Sequence, residues 1–121
     1  MEIVMSKNIY WVYEGEILDR SLVREKLAEI VHHVRRNEPG ALAYEYFLSQ
    51  DEKRLSIYER YADSDAVLAH GANMEPYYFF FEEAVKVTKF LVFGPVSEEA
   101  KAMLSGFNAE FQSPLEGFTR E

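Results

Sequence analysis

The residues equipped for proton chemistry are few. The 121-residue chain has three histidines and no cysteine. Without thiols, disulfides, zinc–thiolate sites, iron–sulfur clusters and cysteine nucleophiles are excluded. His70 closes the stretch "SDAVLAH", residues 64–70, directly after "YERYAD" at 58–63. Glu59 is a carboxylate inside that aromatic strand-like run. Burial would raise its pKa, and a nearby histidine or arginine would lower it. It reads either as a base or orienting group, or as half of a structural ion pair or a partner of a helix terminus. His70 reads either as an acid–base group or as a histidine meeting its own helix end, with Gly71 as C-cap. His32 and His33 stand together near the end of another helix, where cations suit the helix dipole.

The elements that must position these groups follow from periodicity. Residues 8–17, "NIYWVYEGEI", are rich in aromatic and β-branched residues and predict a strand. A helix starts at Asp19 or Ser21. Val23, Leu27, Ile30, Val31 and Val34 share one helical face, and the pattern stops before "NEPG". "ALAYEYFLS" (41–49) and "RLSIYERYA" (54–62) form a hairpin around "QDEK". A four-residue loop suits this glycine-free composition best. It sets Ser49 opposite Arg54, and Leu42, Tyr44, Tyr46 and Leu48 opposite Tyr61, Glu59, Ile57 and Leu55. One face is then apolar or aromatic with Glu59 as its single charge. Glu45 and Arg60 fall on the other face, where an interface pair between them is expected.

A second helix in two pieces follows, capped at Asp63 or Ser64. Met74, Tyr77, Tyr78, Phe81 and Val85 repeat on one side of its second piece. Residues 87–93 form a fourth strand, closed by Gly94-Pro95. Ser97 caps a third helix, with Glu98 and Glu99 in its first turn. The tail has no clear period, but Phe107, Phe111, Leu115 and Phe118 predict that it packs. The order β-α-β-β-α-β predicts one ferredoxin-like α+β domain over residues 1–121, with a core at about 8–94 and an extension at 95–121. Aromatics fall on both strand faces (Trp11, Tyr13, Tyr46, Tyr58, Phe90, Phe93), so the open sheet face would need cover. A second copy in a two-fold dimer is the simplest source.

Composition narrows the partners. The net charge of -8, from 13 basic and 21 acidic residues, repels a phosphate backbone, so nucleic acid is not an expected partner. No apolar run approaches the ~20 residues of a membrane span, and the N-terminus does not read as a signal peptide. A cytoplasmic location is therefore expected.

Taken together, "EPG" at 38–40, "YE" at 44–45, "YERYAD" at 58–63 and "DAVLAH" at 65–70 resemble the signature of the antibiotic biosynthesis monooxygenase (ABM) family. The resemblance covers about residues 8–94. It implies a dimeric α+β barrel with a pocket in each subunit, between sheet and helices. It also implies oxygenase chemistry on a small aromatic, quinol or polyketide-like molecule, with no cofactor. Such chemistry needs a general base, hydrogen bonds to a developing oxyanion and a dry pocket.

On that reading His70, at a position where the family has a histidine, and Glu59 are the catalytic candidates. Trp11, Tyr44, Tyr46, Asn73, Tyr77, Tyr78 and Phe81 are the substrate-binding candidates. The aromatic stripe can equally be core. Haem-degrading relatives carry a second, iron-ligating histidine on the same helix. "GANMEPYYFF" at 71–80 has none, which argues against haem, and no metal-ligand spacing appears elsewhere. Other activities on this scaffold are a non-catalytic ligand-binding or stress-associated protein, and a lyase or isomerase.

Overall fold

The computed structural model describes residues 6–120. Its elements are β1 (Ile9–Ile17), α1 (Arg20–Asn37), β2 (Ala41–Leu48), β3 (Arg54–Tyr61), α2 (Ser64–Asn73), a 3-10 turn (Glu75–Tyr77), α3 (Tyr78–Ala84), β4 (Val85–Phe93), α4 (Glu98–Ser105) and β5 (Glu110–Gln112). The sheet runs β2-β3-β1-β4-β5. It is antiparallel except for β5, which lies parallel to β4. This is the ferredoxin-like α+β fold, with one short strand added at the edge of β4.

Local chemistry accounts for the boundaries. Asp19 caps α1 by accepting from the Leu22 N–H, and Asp63 caps α2 by accepting from the Ala66 N–H. Ser97 caps α4 through the Ala100 N–H. The helix α1 buries Val23, Ile30 and Val34 and stops at Glu38, whose N–H still reaches the Val34 carbonyl. Pro39 and Gly40 then turn the chain into β2. At Gly40 a Cβ would lie 2.6 Å from the Ala66 Cβ, so only glycine lets α2 approach here.

The hairpin loop is the expected four residues. The Ser49 N–H donates to the Arg54 carbonyl, and the Arg54 N–H returns to Ser49 Oγ. Tyr44, Tyr46 and Leu48 face Glu59, Ile57 and Leu55 as anticipated. Leu42 does not face Tyr61. A bulge between Ala41 and Ala43 pairs Ala41 with Tyr61 and leaves Leu42 51% exposed, because a bulge sets two residues against one.

A second correction concerns α2. It runs past His70 to Asn73, and the Met74 N–H bonds to the His70 carbonyl, so Gly71 is an interior helix residue and not a cap. Its lack of a side chain serves packing, since a Cβ there would meet Met103 Sδ at 2.2 Å. Of the tail aromatics, Phe111 packs into the core and the Phe107 ring lies 5.4 Å from that of Tyr78. Leu115 and Phe118 are 96% and 82% exposed, so that part of the tail does not pack as expected. The Arg60 Nε donates to Asn8 Oδ1 at 2.7 Å, and its guanidinium lies over the Tyr10 ring.

All helices lie on one face of the sheet, over two apolar clusters. One joins Val23, Ile30 and Val34 to Leu55, Met74, Phe80, Ala84 and Val85. The other joins Ile9, Trp11, Tyr61 and Val92 to Val67, Ala100 and Leu104. Among the described residues, no helix is long and apolar enough to cross a membrane.

Candidate active site

Three charged or polar side chains are buried among the described residues: Glu38, Glu59 and His70. They form one cluster. β3 alternates Leu55, Ile57, Glu59 and Tyr61 toward the helices, so Glu59 enters the core by strand period. α2 turns His70 onto its sheet-facing side, where Val67 is also buried. His70 Nδ1 lies 2.8 Å from Glu38 Oε1, and Nε2 lies 3.3 Å from Glu59 Oε1. Asn73 Nδ2 donates to Glu38 Oε2 at 2.6 Å. Glu59 accepts from Trp11 Nε1 and from the Tyr61 hydroxyl, each at 2.5 Å.

The electrostatics follow from this geometry. Both imidazole nitrogens face carboxylate oxygens, which suits a doubly protonated ring. Burial works against the charged ring, but the Glu38 hydrogen bond and the charges of Glu59 and Glu38 outweigh it, so the His70 pKa is raised. Burial raises the Glu59 pKa, partly offset by His70, Tyr61 and Trp11. Burial and the Glu59 charge push the Tyr44 and Tyr61 hydroxyls well up, so they act as neutral hydrogen-bond groups and not as bases.

Glu59 and His70 open onto the same cavity, of about 240 Å3. Trp11, Tyr13, Tyr44, Tyr78, Phe81 and Phe90 give it an aromatic wall, and Met103, Leu104, Phe107 and Asn108 close it from the C-terminal side. A larger hollow, about 650 Å3, lies between the tail and the ends of β1 and β4, but the described residues that line it include no acid–base pair. The smaller cavity is therefore the candidate site.

Of the sequence candidates, the structure brings together His70, Glu59, Trp11, Tyr44, Tyr78 and Phe81. Tyr46, Asn73 and Tyr77 stand behind the wall. Tyr46 shares a 2.7 Å hydroxyl contact with Tyr44, Asn73 holds Glu38, and the Tyr77 ring packs against His33. His33 ties α1 to the end of α2 through the Asn73 carbonyl, while His32 is exposed. Sequence reasoning missed Glu38. The signals were its place in "NEPG", one residue past a helix end, and in the "EPG" that resembles the family signature. Among the described residues no group of three or more ligating side chains is placed to hold a metal. Both His70 nitrogens already face carboxylates.

Residues 18–75 match the family model of antibiotic biosynthesis monooxygenase (ABM). Over that segment, 58 of the 121 residues, the chain is similar to the ABM family. No curated protein matches it. Among solved structures, it is similar to MupZ from Pseudomonas fluorescens, at 19% identity and TM-score 0.82, over 95% of this chain and 96% of that one. It is similar to SnoaB, a cofactor-independent oxygenase from Streptomyces nogalater, at 11% identity and TM-score 0.60, over 76% and 96%. Rv0793 from Mycobacterium tuberculosis matches at 20% identity and TM-score 0.57, over 75% and 97%. At these identities the likenesses establish the fold and not the reaction.

Proposed function

We propose that this protein is a cofactor-independent monooxygenase of a small aromatic, quinol or polyketide-like substrate. The observation that carries the reading is the shared cavity: a buried carboxylate and a buried histidine meet inside an aromatic wall. The ABM match and the likeness to an oxygenase described as cofactor-independent support it.

Glu59 is the base in this scheme. It takes a proton from the substrate, and the His70 imidazolium stabilises the anion that forms. An electron-rich carbanion or phenolate then reduces O2 directly. For an anthrone-type CH2 the balance closes: the carbon loses two hydrogens, one oxygen atom becomes its carbonyl, and the other leaves as water. Tyr44 supplies a neutral hydrogen bond to the same region.

The working unit in this proposal is a homodimer. Val12, Tyr58, Leu91 and Phe93 lie half-buried on the sheet face that no helix covers among the described residues, with Phe47 52% exposed beside them. A second copy is the proposed cover.

O2 uptake by the pure protein across a panel of hydroquinones and anthrones tests the activity. Uptake above the uncatalysed rate, lost in Glu59→Gln, is expected. No uptake across the panel would sink it. A second reading, oxygen-independent lyase or isomerase chemistry, is favoured by the acid–base pair itself, which needs no O2 to move a proton. Product formed under strict anaerobiosis would identify it.

A further inference from the structure

The cavity is graded in polarity along its length. At its inner end Trp11, Glu59 and His70 are 3%, 2% and 9% exposed. At its outer end Val87 and Phe107 are 47% and 45% exposed, yet both still line it. The reason lies in the sheet. β5 begins at Glu110, opposite Leu91, so among the described residues the β4 edge before that point has no strand beside it. Val87 and Phe90 stand on this uncovered stretch, and the turn after α4 carries Phe107 to the same cavity, against Tyr78. The mouth is therefore apolar and the charged groups sit at the floor.

The volume bears on the ligand. About 240 Å3 is below the ~300–1,000 Å3 of sites that engulf a drug-sized molecule. A ligand that fills the floor and is any larger must leave through the mouth. There it would lie on Val87 and Phe107, two large apolar side chains that otherwise face water.

We propose that the site takes an amphipathic ligand head-first: a hydroxyl-bearing head at Glu59 and His70, and an apolar chain or ring passing out between Val87 and Phe107, so that the turn after α4 sets which chains are accepted. The proposal rests on the cavity assigned above as the site, but not on the reaction carried out there.

The chain provides its own probe. It has a single tryptophan, Trp11, and that residue lines the floor of the cavity and is bonded to Glu59. Its fluorescence is titrated with phenol and with 4-ethyl-, 4-butyl- and 4-hexylphenol, and with hexylbenzene as the headless control. Affinity is expected to rise about three- to fourfold per methylene, the usual worth of a buried CH2. Hexylbenzene should bind at least tenfold more weakly than 4-hexylphenol.

Val87→Ser with Phe107→Ala should flatten the chain-length slope, weakening 4-hexylphenol far more than phenol. Both positions are half in solvent, so the variant should keep the fold, and its circular dichroism checks this. A slope that survives the double substitution overturns the proposal. So does a 4-hexylphenol that binds no tighter than phenol, or a hexylbenzene that binds as well as 4-hexylphenol. Graded binding without any O2 uptake would uphold this inference while defeating the oxygenase reading.

Discussion

Glu38 holds His70. The carboxylate at the end of α1 meets Nδ1 of a histidine in the middle of α2 at 2.8 Å, with both side chains nearly out of water. The contact joins two helices, fixes the imidazole plane, and leaves Nε2 aimed at Glu59 and the cavity. Glu38 does not line the cavity, so it acts on chemistry only through His70.

Glu38→Gln should therefore lower the His70 pKa, because the Glu38 hydrogen bond and charge raise it together with the charge of Glu59. A charged hydrogen bond of this kind is worth about 1.5–3 kcal/mol. The ring-proton NMR titration of His70, assigned with His70→Gln, should move to lower pH. Any activity should follow it on the pH axis. An unmoved midpoint would show that Glu38 is only structural.

Stability should fall with rising pH through this pair. His70 has a raised pKa in the fold. Its contribution is thus complete below the unfolded value near 6.5 and is lost as pH rises through the folded value. Glu59 is also raised, so its neutral form favours the fold below its ordinary value near 4.5, and that advantage is lost as pH rises through its own folded value. The Tm difference between the wild type and His70→Gln should shrink as pH climbs above 6.5. A difference that widens over that range would contradict the assignment.

Glu59 should separate catalysis from folding. Glu59→Gln keeps an oxygen for one of the Trp11 and Tyr61 donors, whereas Glu59→Leu strands both. The leucine variant should lose about 2–5 kcal/mol in denaturant melts, since buried donors are left unpaired. The glutamine variant should stay close to wild-type stability while any turnover drops by roughly 10²–10⁴, the usual contribution of a general base. Turnover in Glu59→Gln at the wild-type rate would remove Glu59 from the mechanism.

Much of this site was legible in the sequence because strands and helices have fixed periods. A hairpin loop of four residues sets the register, and the register sends Glu59 inward. The same arithmetic failed at Leu42, where a bulge spends one extra residue, which strict alternation does not foresee. It failed at Glu38 for a different reason. A carboxylate next to Pro39-Gly40 reads as a solvated turn, and only the three-dimensional crossing of α1 and α2 buries it. Tyr46 and Tyr77 carry the right chemistry at the right spacing, but their rings pack on Tyr44 and His33 and do not line the cavity.

Gly71 offers a packing test. Its absent Cβ is where Met103 of α4 rests. Gly71→Val should cost about 1–3 kcal/mol by overpacking, because a thioether end can yield only partly. Met103→Ala in the same chain should recover a large share of that loss. The coupling is read from a double-mutant cycle in chemical denaturation. Strict additivity of the two changes would mean that α2 and α4 do not meet there in solution.

The uncovered sheet face should behave as a dimer surface. Leu91→Lys together with Val12→Glu should leave the helix-side core intact and halve the mass seen by light scattering. A wild-type protein that is monomeric at micromolar concentration would refute the dimer.

The layout of the cavity divides the chain into two inheritances. The buried cluster of Glu38, Glu59 and His70 comes from the stretch from α1 to α2, before residue 74, while Met103, Leu104, Phe107 and Asn108 belong to the C-terminal segment. Mutation can reshape that segment without touching the acid–base groups. A scaffold built this way can change its diet and keep its teeth.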